Sequence, residues 1–205
     1  MKRILPIGGH KTVPFFLLNG ILLTLTLLPL LLVSGTEHSS PAWERNPPFT
    51  EYHFKRLGVR LSFPSTWRVD LQPYTGEEVY YTIMAAGEGT TMLVQGWKIK
   101  DLKGFIDTSL LSAPSIDAVS VLPYASGGYS GYFLAYRQHV TEKKIFVREI
   151  LLRTGQGRVT RFVLIMGEEL HEEEERILHR VVESFRQAVS FRPFHGQEAW
   201  DFHFL

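Results

Sequence analysis

Residues 129–166, YSGYFLAYRQHVTEKKIFVREILLRTGQGRVTRFVLIM, decide how the chain is read. Three strand-like segments, Tyr129 to Val140, Lys144 to Arg153 and Arg158 to Met166, are separated by Thr141-Glu142-Lys143 and Thr154-Gly155-Gln156-Gly157. Connections this short require antiparallel neighbours, because a parallel crossover takes about a dozen residues or more. In the last segment Thr160, Phe162, Leu164 and Met166 alternate with Val159, Val163 and Ile165. Both faces are therefore largely apolar, and Arg161 is the exception. Tyr132 to Tyr136 and Ile150 to Leu152 repeat the pattern. Such a sheet needs cover on both sides.

Working outward, Ala118 to Tyr124 adds a strand through the turn Ala125-Ser126-Gly127-Gly128. Upstream, Val59, Leu61 and Phe63 alternate with Arg60 and Ser62 before Pro64 and Trp67. Val79 to Ala85 and Thr91 to Lys98 form another pair across Gly87 and Gly89. Two segments switch to a helical period. Asp101 to Ser112 carries the stripe Leu102, Phe105, Ile106, Leu110 and Leu111, stopped by Pro114. Glu168 to Arg186 carries Leu170, Ile177, Val181 and Phe185, widened by Leu178 and Val182. Glu168, Glu169, Glu172 and Glu173 suit its positive end, Arg180 and Arg186 its negative end. The expected architecture is α+β: a three-layer α/β/α sandwich with a central, mainly antiparallel sheet over residues 51–187.

The N-terminus has a different character. Val13 to Val33, VPFFLLNGILLTLTLLPLLLV, is uncharged and spans 21 residues, while a bilayer core takes about 20 residues of helix. Lys2, Arg3 and Lys11 precede it, and Glu37 and Glu44 follow, which places the N-terminus in the cytoplasm and the domain outside. Residues 1–35 are read as one hydrophobic helix that stays in the cytoplasmic membrane as a single-pass anchor. Cleavage near Ser34-Gly35, with secretion, is the alternative. Residues 36–50, TEHSSPAWERNPPFT, read as an extended linker.

Composition excludes several functions. The chain of 205 residues, 44% hydrophobic and 21% charged, is not disordered or collagen-like. It has no cysteine, which excludes disulfides, cysteine–zinc sites, c-type haem attachment, thiol catalysis and a lipidated-cysteine anchor. Of 22 Lys+Arg against 21 Asp+Glu, the three basic residues before position 36 face no acid, so the rest holds 19 against 21. That balance lacks the basic footprint of nucleic-acid binding.

The order of elements and their landmarks resemble the PsbP family, the extrinsic P subunit of the oxygen-evolving photosystem II and its bacterial relatives. The matching pieces are Gly58-Val59-Arg60-Leu61-Ser62-Phe63-Pro64-Ser65-Thr66-Trp67, the passage through Lys98 to Ser112 and the Gly131-Tyr132 strand ending near Tyr136. The Gly157-Arg158 hairpin and the closing Val182-Glu183-Ser184-Phe185 complete the likeness over roughly residues 52–186. The resemblance implies a PsbP-like sandwich that acts by binding, a fold shared with a Ran-binding nuclear-import factor and small bacterial envelope proteins. It brings no functional residue with it.

Candidate sites are few. His171, Glu175 and His179 share a helical face at i, i+4 and i+8 and form the one weak metal candidate, although the spacing also suits a solvated charged face. Glu172 to Glu175 is explained by the helix dipole. Gly87-Glu88-Gly89 and Gly155-Gln156-Gly157 lack the strand–loop–helix setting of phosphate loops and read as hairpin turns. No GxSxG elbow is present, and no catalytic residue or cofactor is assigned. In the tail, 188–205, Phe191, Phe194, Trp200 and Phe202 are candidate partner-binding residues, with an edge strand folded back on the domain as the bland alternative. The expected role is a non-enzymatic accessory or assembly factor docking an envelope protein on the outer face of the membrane. The alternative is a small-ligand or ion-binding envelope protein with a groove lined by Tyr129, Tyr132 and Tyr136.

Overall fold

The computed structural model describes residues 47–72, 78–113, 115–140, 143–167 and 172–188. Their order is β1 (Phe49–Phe54), a 3-10 turn (Lys55–Leu57), β2 (Val59–Pro64), β3 (Arg68–Gln72), β4 (Val79–Ala86), β5 (Thr91–Lys98) and α1 (Leu102–Ser112). Then come β6 (Ile116–Ser126), β7 (Tyr129–Val140), β8 (Lys143–Gly155), β9 (Arg158–Met166), α2 (Glu172–Ser184) and β10 (Arg186–Gln187). The described residues are thus rich in sheet, with two α-helices. The apolar run 13–33, most of the linker and the tail beyond Ala188 lie outside the described residues. Among the described residues no helix is long and apolar enough to cross a membrane.

Seven strands form one sheet in the order β3-β4-β5-β9-β8-β7-β6, with every neighbour antiparallel. A second sheet, β1-β2-β10, corrects the expectation of a single sheet. β10 also takes Arg186 out of the helix expected to reach it, because α2 stops at Ser184. β1 begins at Phe49, inside the stretch expected to be linker. Both Gly-x-Gly segments are hairpin connections, as expected.

One face of the large sheet buries Ile83, Ala85, Met92, Val94, Ile150, Leu152, Phe162 and Leu164. α2 packs there through Leu178, Val181 and Val182, followed by Phe185, and the small sheet adds Val59, Leu61 and Phe63. Val181 and Phe185 are buried as expected, Leu178 and Val182 are buried as deeply, and Ile177 is only partly buried. Phe185 meets Phe162 edge-on at 5.4 Å between ring centroids. Polar contacts also hold α2 to the sheet: among them, Thr90 donates to Glu174, and Arg148 Nε donates to Glu175 Oε2 at 3.2 Å.

The opposite face carries Val79, Trp97, Leu134, Leu151 and Val159, packed with Leu102 and Ile106 of α1. Asp101 starts that helix by accepting a hydrogen bond from the Gly104 N–H at 3.1 Å, the usual role of an N-cap carboxylate. Leu111, expected in the buried stripe, is 89% exposed. Leu93, Ile145, Val147, Val163 and Ile165 form a further buried cluster. Where β7 crosses β8, Gly131 permits close approach: a Cβ there would sit 1.7 Å from the Leu151 carbonyl oxygen. Any side chain would force the two strands apart.

Candidate functional site

Strand alternation places a buried polar group in the middle of the α1 face. Arg161 and Glu149 are 7% and 5% exposed, and Arg161 Nη2 lies 2.6 Å from Glu149 Oε1. Arg161 Nε donates to Glu149 Oε2 at 2.8 Å, which makes the pair bidentate. Tyr136 Oη donates to Glu149 Oε1 at 2.5 Å. Gln95 extends the group by accepting from Arg161 Nη1 at 3.4 Å and Trp97 Nε1 at 3.2 Å. Its amide then donates to Thr82 at 3.3 Å. Burial raises the Tyr136 pKa well above its usual value, and the Glu149 charge pushes it further, so the hydroxyl keeps its proton. For Arg161, burial works against the charge, but the charge and hydrogen bonds of Glu149 outweigh it and its pKa stands above normal. The sequence marked Arg161 as an exception but not Glu149, whose role depends on the β8–β9 register.

The expected tyrosine groove does not form. Tyr132 and Tyr136 pack with the α1 cluster, whereas Tyr129 lies on the opposite face, 5.7 Å from the ring of Phe185. An odd and an even position on one strand cannot line the same groove. Of the metal candidates, His171 lies outside the described residues. Glu175 receives Arg148, and His179 Nδ1 is 2.9 Å from the Tyr124 hydroxyl with its ring stacked on Tyr124 and Phe133. Among the described residues no three His, Cys, Asp or Glu side chains gather in a metal-binding group. Phe191, Phe194, Trp200 and Phe202 also lie outside the described residues.

The strand expected at Ala118 to Tyr124 is β6, and what the sequence did not reveal is the apolar surface it leaves exposed. Among the described residues, the large apolar side chains left exposed are Leu111, Val119 (45%), Val121 (39%) and Leu122 (53%), and three of the four are on β6. Val121 stands opposite Leu134 and Leu122 opposite Phe133, so they project to different faces. β6 is fastened at its start. Asp117 accepts from Arg137 Nε at 2.7 Å and lies 3.1 Å from His139 Nε2. The His139 hydrogen bond first, then the bond and charge of Arg137, hold the Asp117 carboxyl below its usual range. The register slips between Asp117 and Ser120, a bulge that turns the edge, and Pro123 follows.

No family model matches the chain, and no curated protein matches it in sequence. Solved structures do show likeness. The cyanobacterial PsbP (CyanoP) of Synechocystis sp. PCC 6803 is 14% identical, with 76% of this chain and 99% of that one covered and a TM-score of 0.49. The Ran-binding protein Mog1p of Saccharomyces cerevisiae is 10% identical over 69% of this chain and 96% of its own, at 0.49. LpqN of Mycobacterium tuberculosis, described as involved in cell envelope biogenesis, is 17% identical over 74% and 98%, at 0.46. These are likenesses in chain path at low identity.

Proposed function

We propose that this chain is a non-catalytic binding domain, held outside the cytoplasmic membrane by residues 13–33, that captures an extended segment of an envelope protein on β6. The carrying observation is the exposed apolar edge at Val119, Val121 and Leu122. A terminal strand offers unpaired backbone N–H and C=O groups, and side-chain pockets on its two faces supply selectivity. Edges that must stay single usually carry charge, whereas Ala118 to Ser126 has none. The bulge and Pro123 limit the open stretch to about Val119–Leu122, enough for a short peptide and too little for runaway sheet growth. The titratable clusters around Glu149 and Asp117 are occupied by one another, which supports binding over catalysis.

Val121→Lys tests this. The residue is exposed, so stability should change by less than about 0.5 kcal/mol. Wild-type chain crosslinked in membranes should recover a partner, with amide-exchange protection gained over residues 118–123. The variant should lose both. Equal recovery by the variant, or protection elsewhere, refutes strand addition at β6. A homodimer dissolved by Val121→Lys would assign the edge to a second copy instead. A chain ending at Ala188 should retain the partner if β6 is sufficient, and lose it if the aromatic tail is the docking segment.

The anchor has its own check. Mass spectrometry of the mature N-terminus should find residues 13–33 retained, and protease added outside intact cells should digest the domain. A terminus near residue 36 would make the protein secreted.

A further inference from the structure

The small sheet turns Val59, Leu61 and Phe63 into the core, so the residues between them face outward. Its register sets His53 of β1 opposite Arg60 of β2, and Arg60 opposite Arg186 of β10. One row across the sheet is thus basic from end to end, and all three residues are exposed. Like charges directly opposite on neighbouring strands are destabilising at the usual Cβ separation of about 5 Å.

Lys55 joins the row by a turn. Gly58 closes the 3-10 turn at φ 61, a left-handed conformation that glycine adopts without strain, and its N–H bonds the Lys55 carbonyl at 3.2 Å. The Gly58 carbonyl accepts the Ala188 N–H at 2.8 Å, which ties the end of β10 to the same corner. The result is a cavity of about 330 Å³ lined by His53, Lys55, Arg60, Arg186 and Gln187 among others. That is near the lower end of small-molecule sites.

Of the row, only His53 has an acidic neighbour among the described residues. Glu51 lies 3.1 Å from His53, and among the described residues neither Arg60 nor Lys55 has an ion pair. Arg186 Nη1 donates to the carbonyls of Glu183 and Phe185, both at 2.7 Å, which fixes the guanidinium in place. Gln187 adds a second observation: its Oε1 is buried and, among the described residues, has no hydrogen-bond partner.

We propose that this cavity binds a phosphate monoester of a small polyol. The phosphoryl oxygens accept from Arg60 and Arg186, whose planar forks match them, Lys55 adds charge, and a polyol hydroxyl donates to Gln187 Oε1. A doubly charged anion answers a row of cations better than a carboxylate does. The chemistry is common to a soluble phosphopolyol and the glycerophosphate headgroup of an anionic lipid. The site lies on the small sheet, so it stands apart from strand addition at β6.

The test uses the full chain in neutral detergent with glycerol 3-phosphate, and reconstituted with phosphatidylglycerol or phosphatidylcholine vesicles. Glycerol 3-phosphate should raise Tm by several degrees beyond sodium chloride of equal ionic strength, and Arg60→Ala should weaken binding at least tenfold. Arg60→Ala should fold normally, with an unliganded Tm equal to or above wild type, because it removes a like-charge neighbour. Arg60-dependent binding to phosphatidylglycerol vesicles but not to the soluble ester would assign the headgroup as the source. A response no greater than that to salt, or one unchanged in both Arg60→Ala and Lys55→Ala, overturns the proposal.

Discussion

Glu149→Ala is expected to lower the melting temperature by on the order of 10 °C. Removing one member of a buried ion pair costs about 3–5 kcal/mol, because the partner's charge stays buried without compensation. In a domain of this size each kcal/mol corresponds to roughly 2–4 °C. Arg161, 7% exposed, would keep its long contact to Gln95 and its contact with Tyr136, and Tyr136 would lose its acceptor. Arg161→Met should cost a similar amount by leaving the carboxylate alone. The double variant Glu149→Leu/Arg161→Met should recover most of the loss, since replacing such a pair with apolar residues is often neutral or better. Thermal unfolding of these proteins together with the single variant Glu149→Leu closes the cycle and gives the coupling. Additive losses, or a shift of only 1–2 °C for Glu149→Ala, would mean that water reaches the pair.

Phe185→Ala should be of comparable severity, about 3–5 kcal/mol by truncation of a buried aromatic. The ring is 1% exposed and touches Phe162 on one side and Tyr129 on the other. It is also the single residue between α2 and β10. The loss should therefore be accompanied by faster amide exchange in β10 and β2, beyond the global change. Phe185→Leu should restore more than half of the stability. If exchange rises uniformly, the ring is a general core residue and not the clasp between the two layers.

Much of this architecture was legible in the sequence. β5, β7 and β9 begin and end where their apolar runs meet Gly or charged turns, and both helices show their period. What escaped was short or remote. β3, RVDLQ, alternates over too few residues after Trp67 to stand out, and β1 starts directly after Pro47-Pro48. β10 has two residues and exists only through its pairing with β2. The basic cavity was invisible for the same reason: His53, Arg60 and Arg186 meet through strand register, not spacing. By contrast, the separation of Tyr129 from Tyr132 and Tyr136 could have been read from parity alone. Glu149 could have been suspected as a charge inside an apolar run, two residues along the hairpin from the partner of Arg161.

β2 lies between a ribbon made just before it and one made at the far end of the domain. Pairings between such distant stretches form late, because the intervening chain must first be ordered. A nascent or prematurely terminated product can build β1 against β2, yet the third ribbon and the corner beside it remain absent until synthesis has passed Ala188. Quality control by any factor that senses the unpaired flank of β2 would therefore distinguish finished molecules from fragments.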